Sequence, residues 1–143
     1  MPDVALVQMP FAAPYRPSIA LGLLKSSLNS VGIESRIYHP NLWYAEAVSL
    51  EALMRAEGYR VECLVGEWIF SSAVFPDFHP DEEAYYALLP DSQPEERSAV
   101  SRLRELSPEF VDLTARRILR DKPGIVACTS MFQQHCASLA LLR

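Results

Sequence analysis

The sequence predicts an α/β protein built on a parallel sheet of three strands, with a long helical stretch between the second strand and the third. Three observations carry this. Val4, Ala5, Leu6 and Val7 open the chain as an apolar run without helical period. Strand, helix and strand signals then succeed one another within residues 4–38, the unit from which parallel sheets are made. A second apolar run returns only at 124–129, after a stretch that reads as helix throughout. The crossovers are expected to be right-handed. Because the chain reverses direction after the second strand and returns beside the first, the expected order is two, one, three.

The elements follow in order. Residues 4–8 form a strand buried on both faces. Three prolines mark the loop at 9–17, and Pro17 is placed in the first turn of a helix carrying Ile19, Leu21, Leu23, Leu24 and Leu28. Gly32 closes it in the left-handed conformation. Residues 33–38 alternate, Ile33, Ser35 and Ile37 against Glu34, Arg36 and Tyr38, as in a strand with one wetter face. Asn41 is placed as the cap of a helix closed by Gly58, and a second holds Val61, Leu64, Val65, Trp68, Ile69 and Ala73. Asp81, Glu82 and Glu83 suit the first turn of a third. Ser92 and Pro94 start a fourth, and Ser107 and Pro108 a fifth that runs to about Arg120. Residues 41–121 are thus expected as an all-helical insertion. A strand at 124–129 and a helix from Gln133 complete the chain. No Gly, Asn or Pro terminates that helix before Arg143, so the chain is expected to be the N-terminal part of a longer protein.

The 143 residues are half hydrophobic, which supports one packed domain and excludes a disordered tail. A net charge of −5 without a basic stripe argues against nucleic acid. No run reaches the ~18 apolar residues that cross a bilayer, and the start lacks a basic segment, so it does not read as a signal peptide. Cys63, Cys128 and Cys136, odd in number and set among apolar residues, read as reduced thiols in a cytoplasmic protein.

Catalytic and metal signatures are not found. The cysteines and histidines lack zinc spacing, no G-x-S-x-G elbow occurs, and the acidic pairs sit where helices start. The first loop has no glycine before Gly22, so neither dinucleotide nor Walker phosphate binding fits. Ligands of open parallel sheets lie beyond the carboxyl ends of the strands. Met9, Pro10 and Phe11 stand at one such end, and Thr129, Ser130, Gln133 and Gln134 at another. The hydroxyls and amides suit directed hydrogen bonds beside an apolar wall. Equally, Thr129 and Ser130 suit the cap of the last helix.

The opening VALVQMPFAAPYRPSIALGLLKSSLNSVGIESRIYHPNL resembles the start of a cobalamin-binding domain from cobalamin-dependent radical S-adenosylmethionine (SAM) enzymes. LVGEWIFSSAVF, LSPEFVDLTARRIL and GIVACTSMFQQHCASLALLR narrow the resemblance to the branch that matures ribosomally synthesised peptides, the RiPP radical SAM C-methyltransferases. The resemblance implies a Rossmann-like domain, three of whose five strands lie in this chain. It implies cobalamin over the strand ends, with the corrin at Met9, Pro10 and Phe11 and the tail near Thr129, Ser130 and Gln133. Thr129 matches a position where related domains place Ser. In the complete enzyme a [4Fe-4S] cluster and S-adenosylmethionine would serve a methyl transfer to a precursor peptide. The cluster needs C-x-x-x-C-x-x-C, which residues 1–143 lack, so the chain alone is not expected to be catalytic. The first loop also departs from the D-x-H-x-x-G of many cobalamin domains, so no histidine of that loop would ligate cobalt. Two other readings stand beside this one. One is a cofactor-free recognition or protein-interaction module, to which Trp43, Trp68, Tyr85 and Tyr86 would be suited. The other is a flavodoxin-like small-molecule binder. An exposed third strand is expected to favour a homodimer.

Overall fold

The protein is described here by a computed structural model covering residues 1–89 and 93–143. The elements in chain order are β1 (Val4–Val7), α1 (Ile19–Ser30), β2 (Ser35–Tyr38), α2 (Pro40–Val48), α3 (Leu50–Glu57), α4 (Val65–Val74), α5 (Glu82–Tyr86), α6 (Pro94–Leu119), β3 (Ile125–Cys128) and α7 (His135–Leu142). The three strands form one parallel sheet in the order β2-β1-β3, with Val4 opposite both Ser35 and Ile125. Among the described residues of 39–124 there is no strand.

β1 is central and buried at every position, which is why its sequence is apolar without alternation. Paired residues of neighbouring strands point to the same face. Val4 and Leu6 therefore share one face with Ile37 and Ala127, under Leu21 and Leu28 of α1. Ala5 and Val7 point the other way, into the main core built with α2, α3, α4, α6 and α7. Among the described residues α1 alone supplies helical cover for the first face, and Ile125 at its β3 side is 61% exposed.

The first helix begins after Pro17, because the Ser18 hydroxyl accepts from the Leu21 N–H at 3.2 Å and supplies the cap. Gly32 takes φ 79° just past its end, as its lack of a Cβ allows. The expected helix from Asn41 to Gly58 is two helices. His39 occupies the cap position, Pro40 the first turn, and Asn41 is buried inside α2. Ser49, at φ 75°, breaks the chain direction and caps α3 by accepting from the Ala52 N–H at 3.3 Å. The helical period of 61–73 likewise divides at Leu64, φ 49°, into a 3-10 turn (Val61–Cys63) and α4. Asp81 caps α5 through the Ala84 N–H at 3.0 Å, matching the acidic first turn read there. The strand expected at 124–129 is confined to Ile125–Cys128, and the last helix starts at His135 because Gln133 takes φ 70°.

The expected fourth and fifth helices are one. α6 runs from Pro94 through Pro108 to Leu119, while Ser92, read as its start, lies outside the described residues. An interior proline has no N–H for the carbonyl four residues back. Here that carbonyl, of Arg104, accepts from the hydroxyls of Ser107 at 2.9 Å and Ser72 at 3.3 Å. The neighbouring helix thus supplies a hydrogen bond that the proline removes.

The main core is aromatic. Tyr44 lies 5.3 Å from the Phe70 ring and 4.8 Å from that of Phe110. Trp68 stacks on Tyr85 at 3.9 Å, and on its other flank the buried Arg104 guanidinium lies 4.2 Å from the ring centroid. Arg104 donates to the Trp68 carbonyl and, at 2.6 Å, to the Ser71 hydroxyl, joining α6 to α4. Among the described residues no helix is long and apolar enough to cross a membrane.

Candidate functional site

The carboxyl ends of β1 and β3 carry the expected residues, of which Thr129 and Gln134 both bond to Met9. Past β1, Met9 and Pro10 are both fully buried, and the chain turns from Pro10 into Phe11, which takes φ 64° and meets Phe70 edge-on at 6.4 Å. The Thr129 hydroxyl accepts from the Met9 N–H at 3.0 Å. The Gln134 amide donates to the Met9 carbonyl at 3.1 Å and accepts from the Met131 N–H at 3.2 Å. Ser138 donates to the carbonyls of Thr129 and Gln134, at 2.6 and 2.8 Å. Loop and strand end are locked by side chains whose partners lie more than a hundred residues away in sequence.

Gln133 is turned away from the strand ends. Its side-chain carbonyl accepts from the Gly66 N–H at 3.1 Å, at the start of α4. Gly66 packs so tightly there that a Cβ would lie 2.3 Å from the Gln133 carbonyl oxygen and 2.9 Å from the Phe11 ring. The next residue, Glu67, accepts from the backbone N–H groups of His135 and Cys136 at 3.0 and 2.6 Å. A carboxylate thereby occupies the positive end of α7. α4 and α7 meet at their N-termini, against Phe11.

Of the six expected ligand-facing residues, Met9 and Pro10 belong to the interior and Gln133 is committed to α4. Phe11 and Thr129 are half-buried, and Ser130 is exposed. Ser130 is joined to the exposed His135, its hydroxyl 2.8 Å from Nδ1. Met131 and Phe132 form an apolar tip, 73% and 78% exposed. The sequence reading missed Gly66 and Glu67, whose partners are remote in the chain, and the pairing of His135 with Ser130, which the short spacing of Ser and His could have raised.

The thiols nearby are held protonated. Burial pushes Cys128 up to about 11. Burial, together with the Glu67 carboxylate, pushes Cys136 up to about 12. Neither is a thiolate at neutral pH, the form that attacks electrophiles or binds soft metals. Among the described residues no three His, Cys, Asp or Glu side chains converge as a metal-binding group. What the arrangement offers is a polar cluster at the carboxyl end of β3 and the start of α7, with donors and acceptors at Thr129, Ser130 and His135.

Compared with family models, curated proteins and solved structures, the chain matches none.

Proposed function

We propose that this chain is the cobalamin-binding module of a radical SAM enzyme that modifies, by C-methylation, a ribosomally synthesised peptide. The reading rests on the sequence resemblance. One structural observation supports it: the parallel sheet in order β2-β1-β3 leaves the α1 side of β3 uncovered, with Ile125 exposed, Ala127 half-buried and Thr129 at the strand end. A long polar tail entering beside β3 would meet Thr129, whose O–H still has donor capacity while its oxygen accepts from Met9. Ser130 would stand at the mouth of that slot. The fit is good along β3 and poor under the corrin, since Met9 and Pro10 offer no surface and only Phe11 remains. Cobalamin supplies a methyl group on cobalt when bound. The [4Fe-4S] cluster, S-adenosylmethionine and the precursor peptide belong to the complete enzyme.

A second reading, a cofactor-free recognition module, is favoured by the junction of α4 with α7, where Gly66 and Glu67 close on Gln133, His135 and Cys136. Hydroxocobalamin separates the two. The first expects a changed visible spectrum and co-elution with the protein on gel filtration, at an affinity at least tenfold weaker in Ser130→Trp. Ser130 is exposed, so that variant should fold. Failure of the wild-type protein to retain cobalamin would decide for the second reading.

A further inference from the structure

A cavity of about 350 Å³ opens beside the outer edge of β2, among Arg36, Tyr38, Trp43, Arg117, Arg120 and Asp121. It gathers three guanidinium groups against one carboxylate in a chain whose net charge is −5. Asp121 is already engaged: its Oδ2 lies 2.6 Å from Arg36 Nη1 and accepts from the Tyr38 hydroxyl at 2.5 Å. The Arg117 guanidinium lies 3.9 Å from the Trp43 ring centroid, which holds its plane against the indole. Among the described residues neither Arg117 nor Arg120 has an ion-pair partner, whereas the adjacent Arg116 pairs with Asp112 at 2.9 Å.

Arginines in a last helical turn also favour the negative end of the helix dipole. That accounts for Arg117 alone. It does not account for Arg36 arriving from β2 and Trp43 from α2 at the same cavity, nor for its size. The last-turn carbonyls of Arg116, Ile118 and Leu119 are satisfied by the backbone N–H groups of Arg120, Asp121 and Lys122. Arg117 and Arg120 thus line the cavity while these carbonyls of their own helix are already taken by backbone donors. A guanidinium presents a planar fork suited to the paired oxygens of a phosphate or carboxylate.

We propose that this cavity binds a small organic molecule through a phosphate or carboxylate group held by Arg117 and Arg120, its body lying against Leu42 and Trp43. The volume falls in the range of small-ligand sites, about 300–1,000 Å³, and exceeds what a bare oxyanion fills. The site uses none of the residues at the carboxyl ends of β1 and β3 and does not depend on the cobalamin reading.

Phenyl phosphate, benzoate, inorganic phosphate and phenol, titrated calorimetrically into the full chain, provide the test. Saturable binding of phenyl phosphate or benzoate is expected, and the tighter of the two identifies the anionic group. Affinity should fall at least tenfold in the double variant Arg117→Gln, Arg120→Gln. Both side chains are exposed, so the variant should keep the wild-type circular dichroism, with the melting temperature lowered only by the loss of the contact between Arg117 and Trp43. Three results would overturn the proposal: no saturable binding of either aromatic anion, phenol binding as tightly as they do, or unchanged affinity in a folded double variant. Inorganic phosphate binding as tightly as phenyl phosphate would overturn the organic body.

Discussion

Gly66 and Gln133 touch so closely that no side chain fits between them: a Cβ on Gly66 would stand 2.3 Å from the Gln133 carbonyl oxygen and 2.7 Å from its Cβ. The contact is backbone against backbone, so a flexible side chain cannot swing aside to relieve it. Gly66→Ala must push α4 away from the strand ends. Overpacking of this kind costs about 1–3 kcal/mol. Urea denaturation should show a lower midpoint with an unchanged slope, and a wild-type midpoint would show that the junction is loose.

Glu67 acts from α4 as the cap of α7, through two backbone N–H groups. Glu67→Gln keeps one acceptor oxygen and removes the charge opposite the helix dipole. A loss of about 1–2 kcal/mol is expected, from the range for N-caps and charge-assisted hydrogen bonds. Hydrogen exchange should quicken first at His135 and Cys136. Uniform quickening over α1 and α7 alike would contradict a local cap.

Ser107 is fully buried, and its hydroxyl lies 2.9 Å from both the Arg104 and the Ile69 carbonyl oxygens. Ser107→Ala leaves the Arg104 carbonyl, already deprived of an N–H by Pro108, with Ser72 alone. Leaving a buried polar group short of partners costs about 1–3 kcal/mol. Pro108→Ala in the same background should recover much of it, because the restored N–H can reach that carbonyl. A double-mutant cycle measures the coupling, and strict additivity would refute it.

Stability should decline in alkali. Cys128 and Cys136 are raised from 9.0 to about 11 and about 12, chiefly by burial. Tyr38 and Tyr59 are raised from 10.0 to about 12, by burial and then by hydrogen bonds to Asp121 and Glu96. An acid whose pKa is higher in the folded state keeps its proton there while the unfolded chain releases it. The unfolded state then binds fewer protons, so stability falls as pH rises. The thiol contribution is complete below pH 9 and is lost progressively between pH 9 and 12. Melting temperature should be flat between pH 7 and 8.5 with respect to these groups and fall steadily above. Cys128→Ser, Cys136→Ser should reduce the slope between pH 9 and 11.

The sequence by itself determined the α/β class, the three strands, their parallel order and the place of α1. Each rests on information that is local or repeats at short period: the apolar run of Val4 to Val7, the proline ahead of the helical spacing of Leu21, Leu24 and Leu28, and Gly32 where a left-handed residue is needed. Tertiary structure decided everything that joins distant segments. Pro108 reads as a break until Ser72, on another helix, satisfies the carbonyl it orphans. Thr129 reads equally as a cap or a ligand donor until it is seen bonded to Met9. Gly66 and Glu67 carry no signal because their partners lie some seventy residues away. The cavity of Arg36, Trp43 and Arg117 exists only once β2, α2 and the end of α6 converge. Helical and strand periods are set by each residue's own neighbours in the chain, whereas the partners of a buried hydrogen bond or a convergent charge are set by packing, which no local pattern encodes.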